Sequence, residues 1–170
     1  MRSRLAPLLL CALLLMSALP LPAPVSASDQ ASVWPPTHVV ISEVLISASG
    51  EDYNGTDWNG DGYYGSDSDQ YIELWNPTNE AVDISNWRLD DTLGAGSAPC
   101  SIGWKTPLAP DARMAFFRDN TRLELDYWDG DSVNLANSWG DPIHSMSFEG
   151  EDSWWDVPYA LASNGTFVKD

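Results

Sequence analysis

No stretch of this chain sustains an apolar repeat at helical spacing; short runs alternate with a period of two and are cut off by turn-forming residues. The plainest is Tyr71-Ile72-Glu73-Leu74-Trp75, with Ile72 and Leu74 on one face and Tyr71, Glu73 and Trp75 on the other, closed by Asn76-Pro77-Thr78-Asn79-Glu80. Successive side chains of a strand point to opposite faces, so the pattern suits a sheet with one face against a core. His38 to Ile46, rich in Val and Ile, reads as the first strand. Val82 to Leu89, Ala112 to Arg118, Leu123 to Tyr127, Ser132 to Ala136 and Ile143 to Phe148 continue the series. Residues 90 to 107 read as a long loop and Asn137 to Asp141 as a hairpin tip. Seven or so short strands between turn signals predict an all-β sandwich.

Ahead of Tyr71 stands Asp57-Trp58-Asn59-Gly60-Asp61-Gly62. Side-chain oxygens at positions 1, 3 and 5 of a loop, then a glycine for a sharp turn, suit a hard cation that takes six to eight oxygens at about 2.3–2.6 Å. Calcium is the expected cofactor. Asp57, Asn59 and Asp61 would offer side-chain oxygens and Tyr63 its backbone carbonyl. Position 12, usually an acid, is Ser68, flanked by Asp67 and Asp69, one of which is expected to close the site. Turn-formers lie upstream, from Tyr53 to Thr56, and a strand lies downstream, so the loop reads as a metal-stapled insert in a β protein rather than a helix-flanked hand. The competing reading is a solvated loop whose Asp and Asn serve turns. Carboxylates this dense repel one another, which favours the cation.

Residues 1–27 read as a secretory signal: Arg2 and Arg4, the apolar run Leu8 to Leu15, then Val25-Ser26-Ala27 as a small-residue cleavage site. The run is too short to span a bilayer, so a secreted, extracellular protein without a membrane span is expected. Residues 28–37 read as a flexible lead-in. Beyond residue 27 stand all 25 acidic residues and six of the eight basic ones, a formal charge of −19. Such a surface repels phosphate backbones and anionic membranes, which excludes nucleic acid as the expected partner. Of the two cysteines only Cys100 follows the signal, so no disulfide can form within the mature chain. It reads as a small buried apolar residue, with an intermolecular bridge as the alternative; oligomeric state is not encoded in any feature we recognise.

Catalytic signals are weak. His38 and His144 have no Ser or Cys motif beside them. Glu43 and Glu73 sit inside apolar strands and read as structural, although two carboxylates at glycosidase spacing would be the alternative. Nine tryptophans are many for this length. Trp75 and Trp87 lie on strands, whereas Trp58, Trp104, Trp128 and Trp139 lie in or beside loops, where an indole face either anchors the loop or stacks on a ligand such as a sugar.

Taken in order, Val40-Ile41-Ser42-Glu43-Val44, Tyr71-Ile72-Glu73-Leu74-Trp75-Asn76, Val82-Asp83-Ile84-Ser85-Asn86-Trp87-Arg88-Leu89-Asp90, Leu108-Ala109-Pro110 and Gly130-Asp131-Ser132-Val133-Asn134-Leu135 through Gly140 to Phe148 resemble the lamin tail domain of the bacterial secreted type. Bacterial members of that family often carry an Asp-x-Asn-Gly-Asp-Gly insert before the second strand. The resemblance covers about residues 38–150 and implies an immunoglobulin-like sandwich. The family role it implies is binding, tethering or surface architecture, toward a protein or glycan at the cell surface, rather than catalysis. Residues 151–170 are expected to pack on the sandwich, with Trp154 or Trp155 and Phe167 closing one end and a turn at Asn164.

Overall fold

Residues 35–49, 54–66, 68–92, 94–150 and 156–170 are described by a computed structural model, all within the compact unit Ser32–Asp170. The expected signal at 1–27, most of the lead-in, Asp67, Trp154 and Trp155 lie outside the described residues.

In chain order the elements are β1 (Val40–Leu45), β2 (Tyr71–Trp75), β3 (Val82–Asp83), β4 (Arg88–Asp90), β5 (Cys100–Ser101), β6 (Pro107–Leu108), β7 (Arg113–Phe117), the one-turn helix α1 (Arg118–Thr121), β8 (Gly130–Ala136), β9 (Pro142–Glu149), β10 (Tyr159–Leu161) and β11 (Phe167–Lys169). They form a five-stranded sheet, β11-β10-β1-β2-β7, a four-stranded sheet, β5-β4-β8-β9, and the ribbon β3-β6. All pairings are antiparallel. The chain is thus nearly all-β with the features of a sandwich, as the alternation predicts.

One apolar core lies between the two larger sheets: Ile41, Val44, Ile72 and Leu74 from one, Leu89, Val133, Leu135, Met146 and Phe148 from the other. Removing each such side chain from water stabilises the fold by about 1.5–3 kcal/mol, which sets the register of the strands that carry them. A register shift between Ile41 and Glu43 explains how β1 serves the core at both 41 and 44: the extra residue flips the alternation. Ile41 N–H donates to His144 Nδ1 at 3.2 Å, a bond from the first sheet to the second. On the opposite face of the five-stranded sheet a second, small cluster forms from Leu45, Ala48 and Tyr71, with Trp58 and Phe117 against it.

Four expectations differ in detail. Leu123 to Tyr127 is not a strand, although Leu123 and Leu125 are buried. The Leu125 backbone finds its partners in the side chain of Gln70: Leu125 N–H donates to Gln70 Oε1 at 3.2 Å, and Gln70 Nε2 donates to Leu125 O at 2.9 Å and Ile46 O at 2.6 Å. A primary amide replaces a strand neighbour there. The run Val82 to Leu89 breaks in two at Asn86, whose φ of 60° turns the chain from the ribbon into the second sheet. The long loop 90–107 contains the two-residue strands β5 and β6. Finally, residues 156–170 reach the core along a sheet edge, the turn at Asn164 included. They form a hairpin that extends the first sheet beyond β1, with Gly165 at φ 80° in its turn and Phe167 packed on the core. No helix among the described residues is long and apolar enough to cross a membrane.

Candidate metal centre

The loop of Asp57 to Gly62 is wound by its own side chains. Asp57 Oδ1 accepts from Gly60 N–H at 2.8 Å and Asp61 N–H at 3.1 Å, and its Oδ2 accepts from Gly62 N–H at 2.8 Å. Asn59 Oδ1 accepts from Asp61 N–H at 2.8 Å, and Asp61 Oδ1 accepts from Tyr63 N–H at 2.7 Å. Gly60 and Gly62 take φ of 74° and 87°, a region that costs a side chain about 1–2 kcal/mol, which is why glycine stands at both turns. The predicted ligands Asp57, Asn59 and Asp61 are therefore gathered on one turn. Among the described residues no Lys or Arg pairs with either carboxylate. A carboxylate has about four acceptor positions, so three backbone bonds leave Asp57 one of them for a cation, and Asp61, which accepts from Tyr63 N–H and, at 3.2 Å, from Asn59 Nδ2, keeps about two.

Of the two acids expected to close the site, Asp67 lies outside the described residues. Asp69 is fully buried; its Oδ1 accepts from Trp58 N–H at 3.1 Å and Asn59 N–H at 3.2 Å, and its Oδ2 accepts from Gly65 N–H at 2.8 Å. It staples the two ends of the loop together, a role that leaves it one acceptor position at most. The donor set is all hard oxygen, which fits calcium or magnesium and not a soft metal. No group of three or more His, Cys, Asp or Glu in ligating geometry occurs among the described residues. Carbonyls, amides and solvent would have to complete a shell here. Tyr63, expected to lend its carbonyl, exposes 77% of its surface.

Asp156, a residue with no mark in the sequence, fixes this loop to the sheet. Its Oδ1 accepts from Ser49 N–H at 2.8 Å and Trp58 Nε1–H at 3.1 Å, its Oδ2 accepts from Thr56 N–H at 3.1 Å, and its own N–H donates to Ser47 O at 2.8 Å. Trp58 is accordingly a loop anchor, not a free binding face. It is half-buried, with its ring 5.6 Å from that of Tyr71.

The other candidates separate clearly. Trp104, Trp128 and Trp139 are exposed at 76%, 67% and 88%. Trp104 and Trp139 each follow a strand off the same end of the four-stranded sheet, since Ser101 and Ala136 both pair with Arg88. Trp128 lies toward the other end, before Gly130, stacked edgewise on Tyr127 at 4.8 Å between ring centres. Gly150 admits it: a side chain there would meet the Trp128 carbonyl oxygen at 2.1 Å.

Glu43 and Glu73 are direct cross-strand neighbours on β1 and β2. Each is already engaged: Glu43 accepts from the Tyr71 hydroxyl, and Glu73 Oε1 accepts from Ser42 Oγ at 2.6 Å and pairs with Arg113 at 2.7 Å. Burial, with the hydrogen bond to Glu43, pushes the Tyr71 phenol far above its usual range. Burial pushes the His144 imidazole down to about 4, with His38 adding to the effect; its Nδ1 is the acceptor for Ile41. Cys100 is half-buried on β5, and burial pushes its thiol up.

A cavity of about 660 Å³ opens between the loop residue Ser66, the start of β8, Thr92 and residues 95–97; Glu124, Asp126, Asp131 and Trp128 are among those lining it. Neither Glu43 nor Glu73 reaches it. No protein-family model matches the chain, and a search of curated proteins finds no significant match.

Proposed function

We propose that this is a secreted, calcium-stabilised, non-catalytic module for binding, tethering or extracellular scaffolding, with an immunoglobulin-like sandwich of the lamin-tail kind. The observation that carries this reading is the loop of Asp57, Asn59 and Asp61, whose oxygens are gathered on one turn, unpaired with any basic side chain among the described residues, and seated on the sheet through Trp58. A cation there would join the two halves of the 25-residue connection between β1 and β2, so binding would stabilise the whole fold. The non-catalytic part rests on occupied carboxylates: Glu43 and Glu73 are held by Tyr71, Ser42 and Arg113 and lie outside the cavity.

Extracellular calcium modules bind at roughly 10⁻⁴–10⁻³ M, so saturating calcium adds about 1–3 kcal/mol by linkage. Thermal unfolding in ten millimolar calcium, of the order of ten to a hundred times that Kd, should lie several degrees above unfolding in chelator. An unchanged transition, with Asp57→Ala and Asp61→Ala equally silent, removes the calcium reading. A glycan-binding surface is the second reading. It rests on Trp104 and Trp139, two exposed indoles two strands apart and therefore about 10 Å apart at their bases. A glycan array read against a Trp104→Ala, Trp139→Ala variant tests it, and an array without variant-sensitive hits ends it.

A further inference from the structure

We infer that the cavity beside the loop is a binding site for an organic cation, an ammonium or guanidinium group. Its lining among the described residues includes Glu124, Asp126 and Asp131 and no Lys, Arg or His. Glu124 shares its charge with Arg118 at 3.2 Å. Asp126 and Asp131 have no basic partner among the described residues. Both carboxylates are instead fixed in place: Asp126 Oδ1 accepts from Trp128 N–H at 2.9 Å and Asp129 N–H at 3.1 Å, and Asp131 Oδ2 accepts from Asp126 N–H at 3.2 Å. Preorganised like charges around a concave surface raise a negative potential in the space they enclose.

A second observation points the same way. Asp91 is 1% exposed, and its Oδ1 is buried with no hydrogen-bond partner. The carboxylate lies against Gly96, which lines the cavity: a side-chain carbon on Gly96 would fall 2.5 Å from that Oδ1. A buried anion that lacks a full set of donors is costly unless positive charge lies near it. The Asp90 Oδ1 next to it is likewise buried without a partner, and burial, Asp91 and Asp131 together hold the Asp90 carboxyl above its usual range. Asp91 thus backs the cavity wall behind Gly96, while Glu124, Asp126 and Asp131 line the cavity itself.

The cation is organic because of the size and the walls. The cavity exceeds the share of one water molecule, about 30 Å³, many times over. Ile46, Leu125, Tyr127 and Trp128 give it apolar and aromatic surface. Trp128, two-thirds exposed, offers an indole face to a cation, and Asp126 or Asp131 would accept its hydrogen bonds. The same chemistry is carried by a free amine or guanidine and by a Lys or Arg side chain of a partner protein.

The full-length protein, held in saturating calcium so that the loop contributes nothing to the readout, would be titrated with n-butylammonium, ethylguanidinium, a capped Ala-Arg-Ala peptide and neutral n-butanol. The Trp128 indole N–H resonance is followed by NMR. Saturable shifts with the three cations and none with butanol are expected. Asp126→Asn, which keeps the acceptor for Trp128 N–H and Asp129 N–H, should weaken binding about tenfold or more. Glu124→Gln, an isosteric change at a side chain 68% exposed, serves as a second variant and should weaken it less. Tighter binding of the peptide than of ethylguanidinium assigns the site to a protein partner; equal binding assigns it to a small cation. Absence of a saturable shift, an equal response to butanol, or full affinity in both variants overturns the proposal. None of these outcomes depends on whether the loop binds calcium.

Discussion

Replacing Gln70 by Met removes a side chain that stands in for a strand. Gln70 is 6% exposed, and its amide satisfies three backbone groups at once: Leu125 N–H, Leu125 C=O and Ile46 C=O. Leu125 and Ile46 are themselves 3% and 0% exposed, so water does not readily replace the lost partners. A buried polar group left unsatisfied costs about 1–3 kcal/mol, the orphaned N–H more than a carbonyl. Methionine keeps the volume, so no cavity is added, and the sum for one donor and two acceptors is about 3–5 kcal/mol. That is a large share of the 5–15 kcal/mol typical of a domain. Urea unfolding followed by tryptophan fluorescence should show a lower midpoint at unchanged m-value. Gln70→Glu should be worse still at pH 7, since a carboxylate would face two carbonyl oxygens, and should recover as pH falls and the acid becomes a donor. A Met variant within about 1 kcal/mol of the parent refutes the idea that this amide replaces a strand.

Between pH 6.5 and 4.5 the unfolded chain protonates at the position of His144 while the folded chain, with its imidazole held near 4, does not; stability should fall across this window, and less so in His144→Gln, as read by urea midpoints at the two pH values. Asp90, whose carboxyl is raised, works in the opposite direction, so an Asp90→Asn background should steepen the loss. Gly150→Ala should cost about 1–3 kcal/mol through collision with the Trp128 carbonyl, more than the conformational strain alone of Gly140→Ala, where open space surrounds the α-carbon. Deleting residues 157–170 removes Tyr159 and Phe167 from the core and bares the edge of β1; stability should drop by at least about 3 kcal/mol and size-exclusion chromatography should show association through the freed edge.

What was legible in the sequence was local. The alternation of Tyr71 to Trp75 and of Ser132 to Ala136 survives because one face of each meets a core, and the tight turn of Asp57 to Gly62 is visible because its bonds span two to five residues. What depends on distant partners was not. Leu123-Glu124-Leu125 has the period of a strand, but its backbone N–H groups are met by side chains: Leu123 by Thr121, Glu124 by Ser97 and Leu125 by Gln70, 55 residues away in sequence. The strands β5 and β6 are two residues long and exist only because Arg88, Leu89, Val82 and Asp83 pair with them. Asp156 looked like one acid in an acidic tail, yet it holds Ser49, Thr56 and Trp58 across about a hundred residues. For the same reason Trp58 could not be told from Trp139 by sequence: both are loop indoles, and only the position of Tyr71 and Asp156 makes one an anchor.

The central claim, that the loop of Asp57, Asn59 and Asp61 holds a hard cation, is most directly tested by terbium luminescence. Trp58 lies within the loop, between two of the proposed ligands, so an ion bound there is excited through its indole. Emission should saturate at one ion per chain, be displaced by calcium, fall sharply in Trp58→Phe, and vanish in the Asp57→Asn, Asp61→Asn double variant. Emission that calcium cannot displace, or that persists undiminished in the double variant, contradicts the claim.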